Sequence, residues 1–243
     1  MNHPVQAKKL FGRRKGQPLS ARQKELMQTL LPEMALLPQA GRAATDYFEN
    51  VTEAWLEIGF GAGEHLLWQA QNHPHIGMIG VEPYVSGMAK LLSRIDPLAL
   101  SGGEGRGEGA VSPHPRPQNI RLYSEDARDV IAALPDASLS RVFLLFPDPW
   151  PKTRHHKRRF VQMEMLDQLA RVMRQGAEFR FGTDDHSYLL WTLERLSAHA
   201  SFSWLARSAN DWNTRPADWP PTRYEGKAIA VGRPCTYLRF IRR

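Results

Sequence analysis

Residues 141–160 read RVFLLFPDPWPKTRHHKRRF. Five apolar residues, 142–146, lead into a single carboxylate, Asp148, which is followed by Lys152, Arg154, Lys157, Arg158 and Arg159. Prolines on both sides of Asp148 stiffen the backbone that carries it, because each fixes its own φ and restricts the residue before it. A rigidly held carboxylate suits a site that holds a base or offsets a developing positive charge. The cationic run beside it suits nucleic-acid phosphates, and Trp150 is placed to pack beside a base. His155 and His156 are adjacent, which suits no shared metal ion, so they read as RNA-facing or solvated.

A second cluster lies in WLEIGFGAGEHL, residues 55–66. Glu57 ends an apolar segment, and Gly59, Gly61 and Gly63 then turn the chain into a helix. Glycines at such a turn allow sharp bends and close approach of a ligand, while the helix start offers free amide donors. Glu82 ends the next apolar segment, 19 residues past Gly63 (82 − 63), where an acidic residue binds the ribose hydroxyls of a nucleoside cofactor. The glycine spacing is GxGxG rather than the GxGxxG of dinucleotide sites, and no Tyr-x-x-x-Lys pair occurs. Glu57, Glu82, Asp148 and either Glu125 or Asp126 all fall at or near strand ends. That many carboxylates would repel a pyrophosphate but tolerate a sulfonium carrying an ammonium group, which favours a methyl donor over NAD.

The elements that must position these residues alternate. Strands are expected at 54–58, 76–81, 119–123, 141–146, 178–182, 202–206 and 236–242. Helices are expected at 64–72, 85–95, 129–134, 160–173 (ended by Gly176) and 188–199. Strands separated by helices predict an α/β fold, a mostly parallel sheet with helices on both faces. Residues 97–117, rich in Gly, Pro and Ser, read as a mobile insertion within that domain. Residues 1–24 contain seven Lys or Arg and no acid, and read as a disordered basic arm. The division is thus an arm and lead-in over 1–45 and one domain over 46–243.

At 243 residues and net charge +7 the chain can bury a full core and favours a polyanionic partner. The longest apolar run is too short to span a bilayer, no export signal is visible, and the single Cys235 excludes an internal disulfide. A cytoplasmic protein without a metal site is expected; composition leaves monomer and homodimer open.

LEIGFGAGEHL, GVEP, the DA of SEDARDV, FPDPWPKTRHHKRRFV, FGTDD and TRYEGKAI, in that order, resemble the bacterial tRNA (guanine-N7-)-methyltransferase family. The resemblance implies a Rossmann-like class I methyltransferase fold with a seven-stranded sheet whose last-added strand is antiparallel. It implies S-adenosylmethionine as donor, tRNA as partner, and 7-methylguanosine at position 46 of the variable loop as product. Glu57, Glu82, Asp126 and Asp148 match the donor-binding positions; the acidic-Ala pair selects Asp126 over Glu125, near the adenine amino group. Lys152, Asp184, Thr222, Arg223, Tyr224 and Glu225 match the substrate-contacting positions, with Tyr224 standing where Phe is expected. Glu225 would then read the Watson–Crick edge of the guanine, and Arg154, Lys157, Arg158 and Arg159 would grip the tRNA backbone. Two other readings are an RNA amino-group methyltransferase (N2-guanine or N6-adenine), which places an Asn/Asp-Pro-Pro-aromatic turn at the same strand end, and a non-catalytic RNA-binding protein on a methyltransferase fold.

Overall fold

A computed structural model of the chain describes residues 11, 12, 14, 16–96 and 116–243. The start of the basic arm and nearly all of the 97–117 insertion lie outside the described residues. Seven strands form one sheet: β1 (Glu53–Ile58), β2 (Ile76–Val81), β3 (Ile120–Tyr123), β4 (Leu139–Leu145), β5 (Met173–Thr183), β6 (Phe202–Trp204) and β7 (Thr236–Arg242). Their order is β3-β2-β1-β4-β5-β7-β6. The pairs from β3 through β5 are parallel, and β7 runs antiparallel between β5 and β6. Strand order reverses between β1 and β4, which opens a crevice at their carboxyl ends.

Among the described residues, eight helices accompany the sheet: α1 (Ala21–Met34), α2 (Glu64–Asn72), α3 (Val85–Ile95), α4 (Ala127–Ala133), α5 (Met163–Val172), α6 (His186–Ala198), α7 (Asn210–Asn213) and α8 (Arg223–Ala230). The two-residue period of the strands sorts the core into two layers. Ala54, Leu56 and Ile58 of β1, with Val142 and Leu144 of β4, pack against α4, α5 and α6. Trp55 of β1, with Phe143 and Leu145 of β4, packs against α1, α2 and α3. By the same alternation Glu57 falls on the α2 side.

Two expectations need correction. Residues 21–24 do not belong to a disordered arm; they begin α1, which Ser20 and Gln23 start with a reciprocal capping box. Leu26, Leu30 and Met34, spaced four apart, are buried against the α3 side of the core, each contributing roughly 1.5–3 kcal/mol. Gly176 does not end the preceding helix: α5 stops at Val172, and Gly176, at φ +79°, lies in β5. There the register advances from Leu139 to Arg141 on β4 while advancing from Met173 to Glu178 on β5, a bulge that needs the left-handed residue. Within 206–233, which no expected element covered beyond 206, α7 and α8 form.

Candidate active site

The carboxyl ends of β1, β2 and β4 converge on the glycine turn. Gly59, Gly61 and Gly63 all have positive φ, at +73°, +60° and +77°. Crowding adds a second demand at two of them. A Cβ on Gly61 would stand 2.8 Å from Cε2 of Tyr224, and one on Gly63 would stand 2.5 Å from Cδ1 of Leu91. The turn is therefore closed in from above by the Tyr224 ring and from below by α3. A side chain on Gly87 of α3 would come within 2.3 Å of the Gly61 carbonyl oxygen.

Three carboxylates face this turn. Glu57 is 2% exposed, with Oε2 2.8 Å from Nδ1 of His65. Glu82, just past β2, is also buried; one oxygen accepts from the Gly61 amide at 2.6 Å and the other from the Tyr84 amide at 2.8 Å. Burial pushes the Glu82 carboxyl up to about 7, with Asp148 and Glu57 adding repulsion against the gains from the two amides. Asp148 is open to solvent on one side, yet the surrounding protein raises its carboxyl too. It has no hydrogen bond or ion pair among the described residues. Its turn is strained: Phe146 and Trp150, flanking Pro147-Asp148-Pro149, both sit at positive φ, +49° and +46°. Such backbone for bulky residues costs on the order of 1–3 kcal/mol each and persists where surroundings enforce it.

Asp126 has a different environment. It is the N-cap of α4, accepting from the Arg128 amide at 2.9 Å, and its carboxylate is also gripped by the Arg128 guanidinium. Glu125, its neighbour, is exposed and paired with Arg14 at 2.5 Å. Arg14 belongs to a segment that crosses the rim of the crevice. Its carbonyl accepts from the Val85 amide at 3.1 Å, Gly12 lies beside Asp148, and the Phe11 ring stands edge-on to Trp150 at 6.4 Å.

Of the residues expected to contact the substrate, Lys152 and Arg223 are exposed and Tyr224 is half-exposed beside the glycine turn. Asp184 pairs with Arg233 at 2.8 Å, and the cap of α6 is Asp185. Thr222 and Glu225 form the capping box that starts α8. Glu225 is 2% exposed, and besides that box it accepts from the Tyr237 hydroxyl and pairs with Arg215 at 3.0 Å. A carboxylate turned inward and so fully engaged holds the loop together. The Thr-x-x-Glu spacing carried this signal in the sequence. Trp219 is fully buried, 5.4 Å from Tyr237 and 6.2 Å from His65.

The cationic run divides in the same way. Residues Thr153–Arg158 form a 3-10 helix that leaves Lys152, Arg154 and Lys157 exposed. Arg158 is half-buried, its guanidinium over Trp150 at 4.9 Å and Phe11 at 5.0 Å. Arg159, by contrast, is 2% exposed. It donates to the Pro149 carbonyl at 2.9 Å, to the Ser187 carbonyl and to the Ser187 hydroxyl, and it stacks over Tyr188 and Trp191. One arginine of the run therefore fastens the Asp148 turn to α6.

The crevice thus offers glycine-lined space and carboxylates short of counter-charge, an environment that fits a cationic nucleoside such as S-adenosylmethionine. Among the described residues there is no group of His, Cys, Asp and Glu able to hold a metal ion, and no helix long and apolar enough to cross a membrane.

Comparison with known proteins agrees with this geometry. Residues 52–238 match the model of a family described as putative methyltransferase. A tRNA (guanine-N(7)-)-methyltransferase of Rhodospirillum rubrum is 44% identical over 99% of this chain and 90% of its own length. One from Brucella melitensis is 46% identical over 100% and 98%. The solved structure of the 16S rRNA methyltransferase KamB shares the fold, with a TM-score of 0.51 at 15% identity over 80% of this chain and 90% of its own. With identity at this level across essentially the whole length, the chain belongs to the tRNA (guanine-N(7)-)-methyltransferase family.

Proposed function

We infer that this chain methylates N7 of a guanine in tRNA, at position 46 of the variable loop, with S-adenosylmethionine as donor, in the cytoplasm. The observation that carries the reading is the pairing of Asp148 and Glu82, two carboxylates with no cationic partner among the described residues, with the exposed cations that follow Asp148. S-adenosylmethionine, when bound, supplies an electrophilic methyl group on a sulfonium. Glu57 and the Gly59–Gly61–Gly63 turn would hold its amino-acid end, Glu82 its ribose hydroxyls, and Asp126 its adenine amino group.

Guanine N7 carries an in-plane lone pair and no proton at neutral pH, so this chain needs no general base to activate it. What its residues must do is align the acceptor and tolerate the positive charge that arrives on the base. Asp148 is suited to both tasks: its turn is strained and fastened by Arg159, and its carboxylate is uncompensated. Lys152, Arg154, Lys157 and Arg158 would take the neighbouring phosphates. Thr222, Arg223 and Asp184 stand on the opposite lip, where the exposed Arg223 is the group most available to tRNA. Tyr224, with its ring against Gly61, faces the donor as much as the guanine.

The test is to incubate the protein with labelled donor and unmodified tRNA, then digest the RNA and identify the modified nucleoside by mass spectrometry. 7-Methylguanosine is expected, and it should vanish when guanine 46 is replaced. N2-methylguanosine or N6-methyladenosine would overturn the reading, as would tRNA binding without any donor binding.

A further inference from the structure

Behind Glu57 lies a buried polar chain to which the mechanism above gives no task. His65 and Gln69 sit one turn apart on α2, so their side chains share a face. Both are almost completely buried, at 1% and 0% exposure. Nδ1 of His65 is 2.8 Å from Glu57 Oε2, and Nε2 is 3.1 Å from Nε2 of Gln69. The same Gln69 nitrogen donates to the backbone carbonyl of Asp218 at 2.8 Å. The imidazole is held edge-on to Phe143 at 4.6 Å, with Trp219 beyond it at 6.2 Å.

The chain has a direction. A carbonyl only accepts, so the Gln69 atom facing Asp218 must be the amide nitrogen. That nitrogen carries only hydrogens toward His65, so the imidazole Nε2 accepts. The imidazole proton is then on Nδ1, where it donates to Glu57. A buried carboxylate that receives a hydrogen bond on one oxygen is held in one rotamer, which leaves its other oxygen oriented.

We propose that His65 is a positioning residue for the methyl donor: it fixes the rotamer of Glu57, and Gln69, anchored on the Asp218 carbonyl, fixes the tautomer of His65. The proposal rests on the reading of Glu57 as a ligand of the donor's amino-acid end. It also ties that carboxylate to the 214–222 loop, which leads through Pro220 and Pro221 into α8.

The two ring nitrogens allow a discriminating test. Asn places its amide nitrogen close to where Nδ1 of histidine stands, whereas Gln reaches the position of Nε2. The full chain is titrated with S-adenosylmethionine by calorimetry, without tRNA, for His65→Leu, His65→Asn and His65→Gln, with thermal unfolding followed for each. His65→Leu should lose roughly tenfold to a hundredfold in donor affinity, the range for a hydrogen bond to a charged group. His65→Asn should return to within about threefold of wild type, and His65→Gln should stay near Leu.

A mere packing role would follow volume and rank Gln above Asn, and that order would overturn the proposal. So would wild-type affinity in all three variants, or equal loss in Asn and Gln. Should His65→Leu fail to fold, the ranking of Asn against Gln still decides. Glu57→Gln separates the two levels of the argument. Wild-type donor affinity there removes Glu57 from the donor site, and the proposal with it. Weakened affinity there, beside wild-type binding in every His65 variant, leaves the donor site standing and sinks His65 alone.

Discussion

Two regions of the sheet treat their acids in opposite ways. On the side of the glycine turn, Asp148 has no ionic partner among the described residues and Glu82 is held only by backbone amides. Burial raises both carboxyls. Around β5 and α8 the acids instead meet arginine. Glu178 lies 2.9 Å from Arg180 and is also bound by Arg239, while Asp218 lies 2.7 Å from Arg180. Glu225 has Arg215, and Asp184 has Arg233. Burial alone would raise Glu178 and Asp218, but the arginines pull both below the usual carboxylate range. The difference separates a site from a scaffold. A compensated buried charge is architecture, whereas an uncompensated one is a cost that a cationic ligand can remove.

The largest effect should come from the least compensated acid. In single-turnover assays with tRNA and donor saturating, Asp148→Ala should slow methyl transfer by roughly a hundredfold to a thousandfold. Asp148→Asn keeps an acceptor oxygen without the charge, so it should fall between Ala and wild type. A general base would behave differently, with Asn nearly as damaging as Ala. Equal and near-complete loss in both variants, with both substrates still bound, would remove the holding role.

On the compensated side the expected loss is in folding. Glu225→Ala breaks a capping box, an ion pair and the Tyr237 bond at a fully buried position, and should cost about 3 kcal/mol in urea unfolding. A Glu225→Ala protein of normal stability that no longer accepted guanine would return this residue to base recognition and erase the contrast.

That residue also shows where sequence reasoning stops. The sheet, the glycine turn and Glu82 were legible because periodicity and strand-end placement are local signals that the final fold preserves. The PDPW turn was legible as a rigid mount, although not its two left-handed residues. The burial of Glu225 and Arg159 was not legible, because residue type states that a side chain is charged but not which way it faces. Thr222-x-x-Glu225 and Ser20-x-x-Gln23 were both visible as helix starts, yet the first was absorbed into recognition and the second was masked by the basic residues around it. His65 and Gln69 carry only a four-residue spacing, which acquires meaning once β1 parity turns Glu57 toward α2.

The raised Glu82 carboxyl predicts an intermediate effect, and its sign is definite. A carboxyl raised in the folded state binds more protons than the unfolded chain between about 4.5 and about 7. Stability without ligand should therefore fall as pH rises through that window, by about 3 kcal/mol in full, and Glu82→Gln should flatten the curve. Ribose hydroxyls need the ionised form as acceptor. Donor affinity should thus rise roughly tenfold between about pH 6 and 8, with proton release visible in buffers of different ionisation enthalpy. A pH-independent donor affinity would take the ribose away from Glu82.

The smallest effect separates members of the cationic run from one another. Lys157 and Arg154 are exposed, so each phosphate they meet should release counterions and add about 0.9 to the slope of log affinity against log salt. Neutralising both should reduce that slope by about 2, which amounts to roughly a three- to fourfold change when salt doubles. Sequence alone would put Arg159 in the same class. The structure instead commits its guanidinium to Pro149 and Ser187, under cover of Tyr188 and Trp191. Arg159→Gln should therefore leave the salt slope where it was while slowing methyl transfer, because the strap on the Asp148 turn is gone. Lys would not rescue it, since a single ammonium cannot reproduce the guanidinium's fork to two acceptors on different elements. A lowered slope in Arg159→Gln with unaltered single-turnover chemistry would place this arginine back on the RNA and detach the Asp148 turn from its support.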